Sequence, residues 1–293
     1  MSFLDRIADC RRWAPEAYRP FVIGGEALGR VRHDFARRLK DFPRVFRVDE
    51  AAVVLNPGLT DFDSRSAALA EVLRELNDAG AIKGWRGEDY PVTRRWGAAP
   101  LMKMERAAVP LFGVRGFGVH MNGLVPGDKG PGDQGNAARD LKLWVAKRAM
   151  TKPTAPGKLD HIVAGGQPFG LGVKENLIKE CIEEAGIPPA LAAQAVPVGA
   201  VSYRCARPEG LRDDVLFCFD LELPPDFAPS NADGEVDSFS LWPIEEVMTR
   251  IRETDDFKFN VNLVVLDMAI RRGLLEPDQP DYQEILEGLR LAE

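Results

Sequence analysis

Apolar residues recur at helical spacing over residues 26–41, through Leu28, Val31, Phe35 and Leu39, and the spacing predicts a helix there. Apolar runs at 45–48 and 51–55 flank Asp49 and Glu50 as the two strands of a hairpin. A second helix is predicted after the 60–64 region, through Ala67 to Leu76, with Gly80 as its stop. Together these elements describe a small α+β unit over residues 1–113. Residues 102–114 read as strand-like and 116–125 as a further strand. The glycine- and proline-rich stretch 126–135 predicts a flexible surface loop, and 141–148 alternates as a strand does. After a central helix, residues 196–205 and 215–223 read as strands joined by a loop over 207–214. Residues 235–241 form another strand, and 243–252 and 260–272 form helices, the last closed by Gly273. Strands, one helix, more strands and then helices suit an α/β sandwich with a mixed sheet better than a regularly alternating parallel sheet.

Composition narrows the class. The chain has 293 residues, 45% hydrophobic and 28% charged. No stretch approaches the run of about 18 apolar residues that spans a bilayer. A membrane-spanning, collagenous or wholly disordered protein is excluded. The N-terminus lacks the apolar core and cleavage site of a secretory signal, so a cytoplasmic chain is expected. Cys10, Cys181, Cys205 and Cys218 form no Cys-x-x-Cys pair and have no closely spaced histidine, which supports neither a zinc knuckle nor a disulfide framework. The net charge of −7 is unevenly spread: residues 1–113 carry +3 and residues 114–293 carry −10. This balance argues against a large nucleic-acid surface and is compatible with cation binding in the second part, although a solvated acidic surface is the simpler reading.

Candidate chemistry is concentrated in residues 165–187, where a glycine-rich loop runs into the central helix. At about 100° per residue, Glu180, Glu183 and Glu184 share one arc, while Leu177, Ile178, Cys181, Ile182 and Ala185 cover another side. Like charges at these spacings repel by a few tenths of a kcal/mol per pair. The last two glutamates also face the negative end of the helix dipole, ahead of Gly186 as C-cap. A hard divalent cation bridging carboxylates to substrate phosphates would offset both penalties. The loop is no P-loop, since Leu171 stands where a lysine is required, and the chain has no Gly-x-Ser-x-Gly elbow.

The same stretch resembles the Nudix box of the MutT-like hydrolases. That box reads Gly, five residues, Glu, seven residues, Arg-Glu, an aliphatic, any residue, Glu-Glu, any residue, Gly, an aliphatic. Lys179, Glu180, Cys181, Glu183, Glu184, Gly186 and Ile187 fall into register, and Gly165 takes the first glycine. Leu171 occupies the first glutamate position and Lys179 replaces the arginine, keeping its charge but not its planar fork. Glu175 is a partial substitute for the missing acid. With 105–114, 118–123 and 156–160, the match is similar to one branch in particular, comprising plant Nudix proteins and the Nudix portion attached to fungal thiamine pyrophosphokinases. The resemblance implies a Nudix α/β/α sandwich over residues 114–293, behind an N-terminal α+β domain of unknown role.

It further implies hydrolysis of a diphosphate linkage, with thiamine diphosphate or its oxo-damaged forms as substrate and a monophosphate as product. Mg²⁺, with Mn²⁺ as alternative, would be held by Gly165, Glu180, Glu183 and Glu184. Glu183 or Glu184 would serve as catalytic base, with Glu235 as the alternative. ADP-ribose and nucleoside triphosphates are competing substrates, and a non-catalytic nucleotide-binding or sensor module is the competing function. The expected partner is a small-molecule diphosphate, with neither nucleic acid polymer nor membrane, and a homodimer is left open. Arg148, Lys158 and Lys179 are candidate phosphate contacts, the simpler reading of the first two being exposed basic side chains. His120 reads as a packed, hydrogen-bonded histidine. Trp144, Phe169, Tyr203 and Trp242 read first as core aromatics and second as stacking partners for a thiazole or pyrimidine ring.

Overall fold

The protein was analysed as a computed structural model that describes residues 2–127, 140–231 and 234–291. The predicted loop over 126–135 therefore lies almost entirely outside the described residues. In the first part, α1 (Phe3–Asp9) is followed by β1 (Tyr18–Ile23), β2 (Glu26–Arg32), α2 (His33–Leu39), β3 (Phe46–Val48) and β4 (Val53–Leu55). The four strands form a sheet in the order β2-β1-β4-β3, in which the predicted β3–β4 hairpin is antiparallel. The helix expected over 26–41 is half strand. Leu28 and Val31 stand three apart by coincidence, and antiparallel pairing with β1 fixes that segment in extended form. Helix α3 (Phe62–Asp78) stops just before Gly80, as predicted, and Asp61 caps it through a 2.8 Å bond from the Ser64 amide.

Strands β5 (Asp89–Val92) and β6 (Met102–Glu105) form a separate antiparallel pair. The extended reading of 102–114 holds only to Glu105, because the chain then turns into the short helix α4 (Val109–Phe112), where Pro110 favours the first turn. Phe21, Phe35, Phe46 and Phe112 pack together as the aromatic centre of this first core.

The second part is built on β7 (Arg115–Val125), β8 (Lys142–Arg148), β9 (Leu159–His161) and β10 (Val163–Gly166). Then come α5 (Val173–Ala185), a helical turn α6 (Pro189–Ala192), β11 (Val196–Arg207), β12 (Gly210–Glu222) and β13 (Val236–Pro243). Helices α7 (Ile244–Glu253), α8 (Val261–Arg271) and α9 (Tyr282–Gly288) complete the chain. The loop expected over 207–214 is a two-residue turn at Pro208 and Glu209, because β11 and β12 stay paired as far as Arg207 and Gly210.

The large sheet runs β11-β12-β7-β8-β13 and is mixed: β12 is parallel to β7 and the remaining pairs are antiparallel. Strands β7 and β8 pair only at Leu124–Leu143 and Val125–Lys142 and then part. The short strands β9 and β10 fill the fork, β10 on β7 and β9 on β8. This delivers the Gly165–Gly166 backbone to the point where α5 crosses the sheet.

Helix α5 buries Leu177, Cys181 and Ala185 against Val119, Met121 and Val163, whereas Ile182, expected on the apolar side, is 42% exposed. On the other face α8 is buried around most of its circumference, and the resulting α/β/α sandwich agrees with the expected fold class. The first helix packs with the last ones, since Ile7 and Cys10 sit in one cluster with Leu263, Ile285 and Leu289. Among the described residues, no helix is long and apolar enough to cross a membrane.

Candidate functional site

Glu180 and Glu184 lie one helical turn apart on α5 and line a cavity of about 520 Å³ together with Ala164, Gly165 and Gly166 of β10. The amide of Ala164 donates to Glu184 Oε2 at 2.7 Å, tying the helix carboxylate to the strand. Gly165 has no side chain because there is no room for one: a Cβ there would lie 2.3 Å from Cδ of Glu180. The loop between strand and helix is fixed from inside. Asn176 Nδ2 donates to the Gly166 carbonyl at 2.8 Å, and Gln167 Nε2 donates to the Leu171 carbonyl at 2.8 Å.

Burial and the neighbouring Glu180 push the Glu184 carboxyl up to about 8. Burial also raises Glu180, against the opposing pull of Lys179 and Arg106. Two carboxyls that both resist ionisation mark a place with more negative charge than the fold balances, which is where a cation is stabilised. Two carboxylates one turn apart, with the Gly165 backbone packed against Glu180, offer hard oxygen donors and fit a divalent ion.

Of the predicted site residues, then, the structure brings Gly165, Glu180, Glu184, Glu235 and Arg148 to the cavity. Glu183 sits apart: its carboxylate is 46% exposed, accepts from Lys179 Nζ at 2.6 Å and does not line the cavity. Lys179 also reaches Glu180 at 3.4 Å, so it straddles two glutamates and is no lining residue itself. Glu175, the suggested stand-in acid, accepts from the Gly172 amide at 3.3 Å as part of the α5 capping box. Glu235 does line the cavity; burial alone would raise its carboxyl, but Lys152 and Arg86 outweigh that and hold it low.

Two of the candidate phosphate contacts are otherwise engaged. Arg148 is a buried residue that donates to Asp160 at 2.7 Å and to the carbonyls of Thr154 and Ala155, so it is no exposed basic side chain. Lys158 donates to the Asp255 carbonyl and does not line the cavity. His120 is packed and hydrogen-bonded, its Nδ1 lying 3.0 Å from that of His161. His120, Asp160 and His161 bring three ligand-type atoms within 4.8 Å of one another. Burial works against ionisation of Asp160, but Lys258 and Arg148 overcome it, so that carboxylate already has cationic partners. Trp144, Phe169, Tyr203 and Trp242 all lie off the cavity. Phe169 stacks on Phe62 with centroids 5.3 Å apart, and Tyr203 bonds Asp214 at 2.5 Å.

Sequence reasoning missed several lining residues. Lys83, Arg86, Tyr90 and Arg106 come from the first part of the chain, and Lys152 and Arg212 from the second. Arg106 lies within the 105–114 stretch that matches the branch pattern, although no role was read for it; for Lys83 and Arg86 the signal was the positive balance of residues 1–113, and Tyr90, Lys152 and Arg212 carried none. A diphosphate in this cavity would meet both the helix carboxylates and these guanidinium and ammonium groups. That arrangement suits a metal-bridged anion.

Comparison with known proteins adds the relatives. Residues 2–116 match the model of a domain of unknown function (DUF4743). The chain is 42% identical over 293 residues to Nudix hydrolase 24, chloroplastic, of Arabidopsis thaliana, covering 99% of this chain and 78% of the relative. It is 42% identical over 301 residues to Nudix hydrolase 20, chloroplastic, of the same plant, again covering 99% and 78%. Among solved structures it is similar to DR0079 from Deinococcus radiodurans, with a TM-score of 0.45 and 18% identity over 61% of this chain and 96% of that one. The plant relatives correct one expectation. Both are named chloroplastic, which overturns the cytoplasmic reading. That reading weighed only the features of a secretory signal, and other targeting signals have different compositions.

Proposed function

The chain belongs to the Nudix hydrolase family and is a pyrophosphohydrolase acting on phosphoric anhydride bonds, and on that premise we propose that its cavity takes thiamine diphosphate or an oxo-damaged form of it and releases the monophosphate. The observation that carries this reading is the pairing of Glu180 and Glu184 with basic residues lining one cavity of about 520 Å³. The volume suits a ligand of cofactor size. Phe117, Leu216 and Phe259 offer apolar surface for a ring beyond the charged end. We take residues 114–293 as the hydrolase domain and residues 1–113 as the unit that walls its cavity.

Mg²⁺, or Mn²⁺ in its place, would be held by Glu180, Glu184 and the Gly165 carbonyl, where it would neutralise the carboxylates, polarise the phosphoryl oxygens and acidify water. The chain's own residues do the rest. Lys152 and Arg212 bind and orient the anionic group, and the box loop, braced by Asn176 and Gln167, keeps the carboxylates in place. Glu184 is assigned to receive the proton of the attacking water, since its carboxylate lines the cavity and the Ala164 amide fixes one of its oxygens. Glu235, bound to Lys152, is the weaker base. Glu183 holds Lys179 across Glu180, the part that the arginine plays in the family pattern. Water adds to phosphorus, the bridging P–O bond breaks, and a monophosphate and inorganic phosphate leave.

The test is phosphate release with product identification. The panel comprises thiamine diphosphate, oxothiamine diphosphate, ADP-ribose and nucleoside triphosphates, with and without Mg²⁺. Metal-dependent cleavage of the thiamine compounds that falls about 100- to 1,000-fold in Glu184→Gln supports the reading. Cleavage confined to ADP-ribose or triphosphates rejects the thiamine assignment, and an unaffected Glu184→Gln variant rejects the assigned base.

A further inference from the structure

We propose that Arg106, stacked on Tyr90, is a phosphate-binding residue contributed by the first part of the chain, so that the diphosphate is held between the carboxylates of α5 and this guanidinium. The proposal rests on the diphosphate reading of the cavity.

Arg106 follows β6 and is held from behind by Glu88. Its amide donates to the Glu88 carbonyl at 2.8 Å, and its Nη1 donates to Glu88 Oε2 at 3.0 Å. The guanidinium carbon lies 5.6 Å from the centroid of the Tyr90 ring, which fixes the plane of the group. With Nη1 taken, the Nε–Nη2 edge donates to no described residue. That edge is one that can meet two phosphate oxygens in parallel. The side chain keeps 45% of its surface accessible while lining the cavity. Its charge opposes the rise of the Glu180 carboxyl and helps to hold Glu235 low, so it acts on two of the acidic groups of the cavity.

Tyr90 supplies the second observation. Its hydroxyl is buried without a hydrogen-bond partner among the described residues, although the ring lines the cavity. A Cβ on Gly166 would lie 1.4 Å from that oxygen, so the phenol sits directly on the box loop. Unpartnered buried hydroxyls call for a missing donor or acceptor, and a phosphate oxygen entering from the cavity provides one. The placement is anchored at two further points. The Phe169 amide donates to the Asp89 carbonyl at 2.8 Å, and Phe62 stacks on Phe169. The segment carrying Tyr90 is thereby tied to the loop that carries Gly165.

The experiment uses the full-length chain, loaded with Mg²⁺, and methylenediphosphonate as a diphosphate that cannot be cleaved, with titration calorimetry as readout. Arg106→Gln is expected to weaken binding about 10- to 100-fold and Tyr90→Phe about 3- to 10-fold, with the melting temperature of each recorded alongside. Arg106→Lys keeps the charge without the fork and is expected to fall between wild type and Arg106→Gln. An unchanged Kd in folded Arg106→Gln, or no binding by the wild type, overturns the proposal. Should Arg106→Gln fail to fold, Arg106→Lys decides: a loss of about 3- to 10-fold supports the proposal and an unchanged Kd rejects it. Failure of the functional reading would look different, with methylenediphosphonate binding falling in the variants while wild type leaves the thiamine compounds intact.

Discussion

Gly165 carries a tight constraint in the site, because a methyl group there would collide with the carboxylate of Glu180. Gly165→Ala is therefore expected to fold and to lose at least about 100-fold in kcat, since displacing a reacting group by about 1 Å costs that much. Phosphate release beside a thermal melt checks it, and a fully active variant would contradict the placement of Glu180. A second residue-scale prediction concerns the buried histidines. Burial holds His161 down at about 4, and burial with the neighbouring His161 lowers His120 as well. As pH falls from 6.5 the unfolded histidines take up protons that the folded ones refuse, so stability is present above 6.5 and lost on the way to 4. For His161 alone the loss is roughly 3 kcal/mol. Urea unfolding at pH 7 and pH 4.5 measures it, and His161→Gln should flatten that limb.

At the scale of elements, α5 shows what holds a catalytic helix in register. Its C-terminus is closed by Gly186 in the left-handed region at φ +63°, with no room for a side chain, since a Cβ would lie 2.3 Å from Oγ of Ser230. Gly186→Ala is expected to destabilise by about 1–3 kcal/mol, read as a fall in the urea midpoint at unchanged slope. Elements dominated by local signals were legible in the chain: α3 between Asp61 and Gly80, the β3–β4 hairpin, α5 with its cap, and the long strand β7. Elements made by partners were not. Strand β2 imitates a helical spacing until β1 pairs with it, and β9 and β10 are three and four residues long, too short to announce themselves without the fork they fill. The acidic arc was legible as well. Its division was not: Glu183 pairs with Lys179 away from the cavity that Glu180 and Glu184 line.

On the scale of the whole molecule, the chain closes on itself: its first helix packs on its last three, and the basic residues that line the cavity come from both parts. Arg6 is the clasp, donating to the Ile251 carbonyl at 2.7 Å and the Thr254 carbonyl at 2.6 Å, and pairing with Asp255. Arg6→Ala is expected to cost about 2–4 kcal/mol, because it leaves buried carbonyls without donors. Chemical denaturation tests this, and a change below about 0.5 kcal/mol, the range of ordinary surface substitutions, would count against a closing role. The sequence by itself determined the sandwich class, the loop-helix motif and its acidic face, since these rest on periodicity, caps and spacing within about twenty residues. Only the tertiary structure decided that Glu180 and Glu184 share a cavity while Glu183 does not, that Arg148 is consumed by Asp160, and that Tyr90 and Arg106 face the box. The reason is physical. Which groups meet across a cavity depends on packing between segments far apart in the chain, and no local pattern encodes that distance.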